Sequence, residues 1–332
     1  MPIFSIDEIE NVLKRSGASV LKVDRNYIAI SKWVSAKRTR SYPYTHVYDM
    51  MGFGGKKLTV IPIYKDEGKD GDRDFLQFDT LSLMTLLNVN VIIAYYTDAT
   101  RNDSYPNKIT NQRYDISYVR RKIYENLNFY SDALHWNREQ LKKIGDVGEL
   151  ALKSYSEISR RLRVSMHSES AARRKIDELK LGEDVFRNNS RQRAREAQRR
   201  ESLTIQPKEL LEGEKGTITI TNYYNGFYAF TVDEAVINGE SAYLIEAKHS
   251  KDNDLPNIAD IKDALLKLIV YTNLKTVTID GNTYKAVPVI KLTNNNGALP
   301  QNLREGDKET LKNLEREANE NGFLLNFNGT FL

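Results

Sequence analysis

Residues Thr231–Ser250 read TVDEAVINGESAYLIEAKHS. Apolar and polar residues alternate on both sides of Asn238-Gly239, which predicts two antiparallel strands joined by a tight turn. With Asn238-Gly239 as a two-residue turn, Ile237 lies opposite Glu240 and Asp233 opposite Leu244. Side chains alternate faces along a strand. Leu244, Glu246 and Lys248 therefore share a face, and Asp233 lies on that face, diagonal to Glu246 at about 7–8 Å between backbones. Glu234 points the other way, with Val232, Val236 and Ile245. A four-residue turn keeps this parity and a three-residue turn breaks it.

The flanks extend the pattern. Upstream, GTITITNYY from Gly216 and FYAFTVDEAVI predict two more strand segments, with a hairpin turn at Asn225-Gly226. Downstream, LPNIADIKDALLKLIVYTNL predicts a helix over Ile258–Thr272, opened at Pro256-Asn257, with Ile258, Ile261, Leu265 and Leu268 on one stripe. TYKAVPVIKL is a further strand. Two carboxylates and an ammonium on one sheet face suit a divalent cation. Asp233 and Glu246 can hold Mg²⁺, with Mn²⁺ as a substitute, and the Ala247 carbonyl between Glu246 and Lys248 offers a third ligand. The ion and Lys248 can stabilise charge on a phosphate and help produce the attacking hydroxide. Glu-x-Lys alone reads as readily as a salt-bridged hairpin. The order of elements around it is the more demanding signal.

In these two segments the chain resembles the PD-(D/E)xK nuclease superfamily, and more narrowly the type II restriction endonucleases. The resemblance covers roughly residues 200–292. It implies an αβββαβ core, catalytic roles for Asp233, Glu246 and Lys248, and Mg²⁺ held by Asp233 and Glu246. Val232 stands where the family pattern places a proline, the most variable part of that pattern.

Composition bounds the alternatives. The chain has 332 residues, 40% hydrophobic and 28% charged, which fits a globular protein of two or three domains and argues against global disorder. Cysteine is absent, which excludes thiolate zinc sites, iron–sulfur clusters, disulfides and a cysteine nucleophile. With four histidines, a polyhistidine metal site is not expected, and oxygen ligands remain. The start, MPIFSIDEIENVLKRSG, lacks the basic region and apolar core of a signal peptide, so none is expected, and no apolar run reaches the length of a bilayer span. These features lead to the expectation of a cytoplasmic protein of a prokaryotic cell, without membrane contact.

The net charge of +4 conceals an asymmetry. Residues 153–200 carry 14 Lys and Arg against 7 Asp and Glu, a surplus of +7, which leaves the remaining chain at −3. Such a local field attracts phosphates. Within it, YSEISRRLRVSMHSESAARRKIDELKL resembles a helix-turn-helix. Tyr155, Ile158 and Leu162 would face inward from the first helix and Val164 would plug the turn. Ala171, Ala172, Ile176 and Leu179 would pack the second helix, capped near Ser168. Ser168, Glu169, Ser170, Arg173, Arg174 and Lys175 would then be exposed to double-stranded DNA. Arg163 stands where a glycine is usual, and the stretch before the second helix is one residue longer than usual. The alternative is a plain αα-hairpin. FRNNSRQRAREAQRRES, with Arg191, Arg195 and Arg199, reads either as a solvated helix face or as a phosphate-tracking helix leading into the nuclease sheet.

Residues 1 to about 130 read as an α/β unit, from SVLKV, a turn at Asp24-Arg25-Asn26, YIAIS, KKLTVIPIY, a helix over Phe78–Leu87 and VNVIIAYY. The acidic residues Asp66, Glu67, Asp70, Asp72 and Asp74 fail the EF-hand spacing, because Phe75 occupies the glycine position, and are expected to form a solvated loop. His135-Trp136 and His167 lack a partner at readable spacing, so packing is expected. Gly52–Lys57 is not a P-loop, so no ATP use is expected. The expected fold is α/β of the α+β kind: an N-terminal α/β domain (1–130) for recognition or dimerisation, a helical DNA-binding region (131–185), and a nuclease domain (186–332). A homodimer would match a palindromic site, although no residue specifies one. The expected activity is sequence-specific cleavage of duplex DNA. A repair or structure-specific nuclease and a non-catalytic helix-turn-helix regulator are the alternatives.

Overall fold

The structure is a computed structural model that describes residues 1–15, 17–33, 45–202, 214–221, 227–252, 254–274, 276–295, 297 and 299–332. It is a mixed α/β protein of the α+β class. Chain contacts divide it into two compact units rather than the three parts expected from sequence. The first is built mainly from residues 1–33 and 49–194. The second takes in Thr45–Tyr48, the chain from Arg195, and everything from Ala229 to Leu332. The helical region 131–185 thus belongs with the N-terminal part.

In the first unit, β1 (Ile3–Ser5), α1 (Ile9–Lys14), β2 (Ser19–Val23) and β3 (Asn26–Lys32) come first; α2 (Thr45–Tyr48) belongs to the second unit. The expected hairpin is present, with Val23 paired to Asn26 across Asp24-Arg25 and Asp24 at φ 52°. β4 (Lys57–Pro62), the short hairpin β5 (Tyr64–Asp66) and β6 (Arg73–Phe75), α3 (Phe78–Leu86) and β7 (Asn90–Ala94) follow. The sheet order is β1-β2-β3-β4-β7, with β3, β4 and β7 mutually parallel. Every residue of β7 is buried, as its continuous β-branched run requires. The next elements are β8 (Tyr96–Arg101), β9 (Ile109–Tyr114), α4 (Ile116–Leu127) and α5 (Ala133–Lys142). α5 satisfies the open edge of β7: Asn137 Oδ1 accepts from Val91 N at 2.7 Å and Trp136 Nε1 donates to Val91 O at 2.7 Å. This covers an edge that would otherwise offer itself to another strand.

α6 (Ile144–Leu162), α7 (Glu169–Lys180) and α8 (Glu183–Ser202) complete the helical region, and the division between units falls inside α8. Tyr155, Ile158, Val164, Ala172 and Ile176 are buried as the spacing predicts. α6 and α7 approach closely because Gly148 has no side chain: a Cβ there would meet Ile176 Cγ2 at 2.5 Å. The acidic stretch from β5 to β6 departs from expectation. Asp66 and Asp74 are buried rather than solvated. Asp66 Oδ1 takes Gly68 N at 2.8 Å and His167 Nδ1 at 2.8 Å, giving His167 a carboxylate partner 101 residues away in sequence.

The second unit is ordered β10 (Glu214–Thr221), β11 (Phe227–Asn238), β12 (Ser241–Ser250), α9 (Ile258–Thr272), β13 (Thr276–Ile279), β14 (Asn282–Asn294), α10 (Glu305–Asn321), β15 (Leu324–Phe327) and β16 (Thr330–Phe331). Its sheet runs β10-β11-β12-β14-β15-β16, with β13 beside β14. β12, β14 and β15 are parallel, and α9 carries the crossover from β12 to β14. The turn expected at Asn225-Gly226 lies outside the described residues. α9 spans the predicted residues and is capped by Asn257, whose side chain accepts from Asp260 N. Ile261, Leu265 and Leu268 are buried, but Ile258, the first residue of the helix, is 56% exposed. Among the described residues no helix is long and apolar enough to cross a membrane.

Candidate active site

The β11–β12 register differs from the sequence expectation by two residues. Asn238 pairs with Ser241 and Ala235 with Leu244, so the turn residues are Gly239 and Glu240. Gly239 has φ 60° and Glu240 does not have positive φ, the pattern of a turn that needs glycine at its first central position. A shift of two preserves the faces. It moves Asp233 from a diagonal position toward a direct one across from Glu246. The regular ladder ends at Glu234–Ile245. One step beyond it, the carboxylate of Asp233 replaces a backbone acceptor, and its Oδ2 receives Ala247 N at 2.9 Å. The N–H and C=O of a strand residue leave on the same side, so the Ala247 carbonyl also faces the β11 side, where the sequence reading had offered it as a ligand.

Glu246 is 1% exposed and lies at the centre of the group. Its Oε1 accepts from Lys248 Nζ at 2.7 Å and its Oε2 from Lys267 Nζ at 2.8 Å. Lys267 also donates to Thr231 O at 3.2 Å, which ties α9 to β11. Burial alone would raise the Glu246 carboxyl, but the two ammonium groups overcome it and hold it below its ordinary value. Burial likewise works against charge on Lys248. The attraction of Glu246, helped by Asp233 and opposed by Lys267, raises it above its ordinary value. The carboxylate of Glu246 thus holds the charge on Lys248 in place.

The structure brings Asp233, Glu246 and Lys248 together. It sends Glu234 to the opposite face, where Lys291 Nζ reaches Glu234 Oε2 at 3.3 Å. His249 leaves on that other face as well, held by Thr293 Oγ1 at 2.9 Å and Asn295 Oδ1 at 3.1 Å. Sequence reasoning missed Lys267. Its signal was present: it is the only charge between Ala264 and Thr272, in a run otherwise apolar or aromatic. Among the described residues no three His, Asp or Glu side chains cluster as a metal cage. The oxygen donors at the site are those of Asp233 and Glu246, a hard set that fits Mg²⁺ or Mn²⁺. A cavity of about 470 Å³ opens at the end of β12, with Asp252, Asp254, Asp260 and Asp307 in its wall against Lys251 and Arg304. Arg304 is paired to Asp254 at 2.6 Å. This wall is acidic and does not form a phosphate track.

The residues expected to meet DNA lie elsewhere. Ser168 caps α7 by accepting from Ala171 N, and its hydroxyl is 2.9 Å from that of Ser170. Arg173 is engaged with Glu149 at 3.2 Å and Lys175 with Glu178 at 2.9 Å. Arg174 is exposed, with no ion pair among the described residues. Arg163 takes a left-handed conformation (φ 51°, ψ 47°), the role a glycine usually fills in such a turn. Arg191 and Arg195 lie on α8, Arg191 half-buried and Arg195 exposed, each with an interaction of its own. Arg199 is on α8 with its side chain outside what the structure describes. No family model, curated protein or solved structure matches this chain.

Proposed function

We infer that the chain is a Mg²⁺-dependent endonuclease of double-stranded DNA, of the type II restriction kind, with a PD-(D/E)xK-like core in its second unit. The observation that carries this reading is the placement of Asp233, Glu246 and Lys248 on one sheet face. Supporting it is the element order: α8, the strands β10, β11 and β12, the crossover α9, and the parallel strand β14. Asp233 and Glu246 would hold the ion. Mg²⁺ bound there supplies charge stabilisation for a phosphate and a more acidic water.

The charges are matched to that task. Asp233 and Glu246 balance Lys248 and Lys267 in the resting site. A bound divalent cation leaves two positive charges in surplus, which a phosphodiester and an incoming hydroxide neutralise. Lys248 and Lys267 are preorganised cations in a dry environment, where electrostatic stabilisation is strongest. The α6–α7 hairpin, with Arg174 outward, supplies the duplex-facing element. Two copies related by a two-fold axis would match a palindromic site.

Digestion of a mixed-sequence plasmid with Mg²⁺ tests this. Discrete fragments are expected, with a loss of at least about 100-fold in Glu246→Gln or Lys248→Met while duplex binding persists. Cutting by Glu246→Gln at the wild-type rate sinks the site assignment. Nicking that depends on DNA structure favours a repair nuclease. A shifted duplex left intact with both Mg²⁺ and Mn²⁺ favours a non-catalytic regulator.

A further inference from the structure

Lys32 ends β3, at the carboxyl end of the parallel strands β3, β4 and β7. In open α/β sheets ligands bind outside those ends. Two cavities adjoin there, of about 370 and about 240 Å³, and both have Lys32, Asn111, Gln112 and Tyr114 in their walls. The larger falls within the size range of small-molecule sites.

Lys32 is half-buried and has no hydrogen-bond or ion-pair partner among the described residues. Burial pushes its ammonium below the ordinary value, and the acids of the two walls, Glu10 and Glu67, pair with other cations among the described residues. The other cations of the two walls are already matched: Lys14 with Glu10 at 2.7 Å, Lys65 with Glu67, and Arg113 with Asp98. The facing wall is built. The β8–β9 register jumps between Asp98–Arg113 and Thr100–Thr110, and Asn111 within the jump has φ 51°. Bulges of this kind re-aim side chains beside functional sites. Asn111 Nδ2 donates to Thr100 Oγ1 at 3.1 Å. Gln112 is clamped, donating to Asp66 O at 2.8 Å and accepting from Tyr155 Oη at 2.8 Å. A half-buried ammonium without a counter-charge is costly, and a ligand that brings the charge removes the cost.

We propose that the Lys32 cleft binds a phosphate-bearing ligand of mononucleotide size, with Lys32 as its counter-ion and Lys14 and Arg113 turning to it. The Lys14 and Arg113 ion pairs are solvent-exposed and contribute little, so both cations exchange partners readily. Three cations around one group favour a phosphate dianion over a carboxylate. The phosphate can belong to a free nucleotide or to the 5′ end of a nucleic-acid strand.

Calorimetric titration of the full chain without divalent ions tests the cleft separately from cleavage. The probes are inorganic phosphate, adenosine 5′-monophosphate, and a single-stranded tetranucleotide with and without a 5′-phosphate. Saturable binding of the monophosphate is expected, weakened about tenfold or more in Lys32→Met and largely kept in Lys32→Arg. Glu10→Gln, which frees Lys14, should tighten it. A 5′-phosphate preference in the tetranucleotide identifies the strand end as the source, and its absence alongside monophosphate binding identifies the free nucleotide. Lys32→Met removes an unpaired charge, so its melting temperature should hold or rise; should it fall, the Lys32→Arg and Glu10→Gln affinities decide. No saturable binding of any probe, or wild-type binding by a folded Lys32→Met chain, overturns the proposal.

Discussion

Glu246 is one buried carboxylate shared by two lysines, Lys248 from its own strand and Lys267 from α9. Removing it strands two ammonium groups, so Glu246→Ala should cost about 3–5 kcal/mol in chemical denaturation. The pH dependence follows from the directions of the shifts. Glu246 is held below its ordinary 4.5, so its contribution is full above pH 4.5 and is lost as pH falls through the lower, folded value. Lys248 is held above 10.5, so its contribution is full below pH 10.5 and is lost as pH rises through the higher, folded value. Wild type should therefore keep the stabilisation of this pair from pH 5 to 10; in Glu246→Gln burial and Lys267 push Lys248 down, so the wild-type advantage, followed by urea melts, should shrink below pH 4.5 and narrow again as pH rises toward 10.5. A wild-type advantage that grows as pH rises toward 10.5 would contradict this. The trio was legible because face parity on strands needs only residue numbers and a turn of even length. Lys267 was not, because its partner is set by how α9 lies on the sheet.

At the level of elements, the hairpin was read on the correct faces but two residues out of register. Asn-Gly signals a turn without saying which two residues occupy its centre. Here Gly239 takes the first central place, where its φ of 60° is needed. The helix-turn-helix reading met a similar limit. Its apolar spacing predicted the burial of Ile158, Val164, Ala172 and Ile176, while the arginine at the turn looked wrong for the motif. Arg163 is left-handed nonetheless. Arg163→Gly should therefore stabilise the chain by about 1 kcal/mol, measured as a raised urea midpoint. Gly148→Ala should act in the opposite sense. Its new methyl would meet Ile176 at 2.5 Å, and such overpacking costs about 1–3 kcal/mol. Were the two helices loosely packed, the substitution would be neutral or mildly stabilising.

Over the whole chain, a net charge of +4 divides into a basic segment and a weakly acidic remainder. Duplex affinity should fall steeply with salt, and Arg174→Ala should reduce the slope of log affinity against log salt by about 1 without changing sequence preference. A salt-independent affinity would remove the segment from the DNA-binding surface. Short-range information in the chain sufficed for the α+β class, the α9 boundaries, the sharing of a face by Asp233, Glu246 and Lys248, and the positive centre of charge. These depend on periodicity, capping and composition, which act within a few residues. Tertiary structure alone decided the two-unit division inside α8, the Asp66–His167 contact, the second lysine on Glu246 and the Lys32 cleft, where Lys32 has no partner among the described residues. Each joins residues distant in sequence, and such contacts arise only when packing closes the chain on itself.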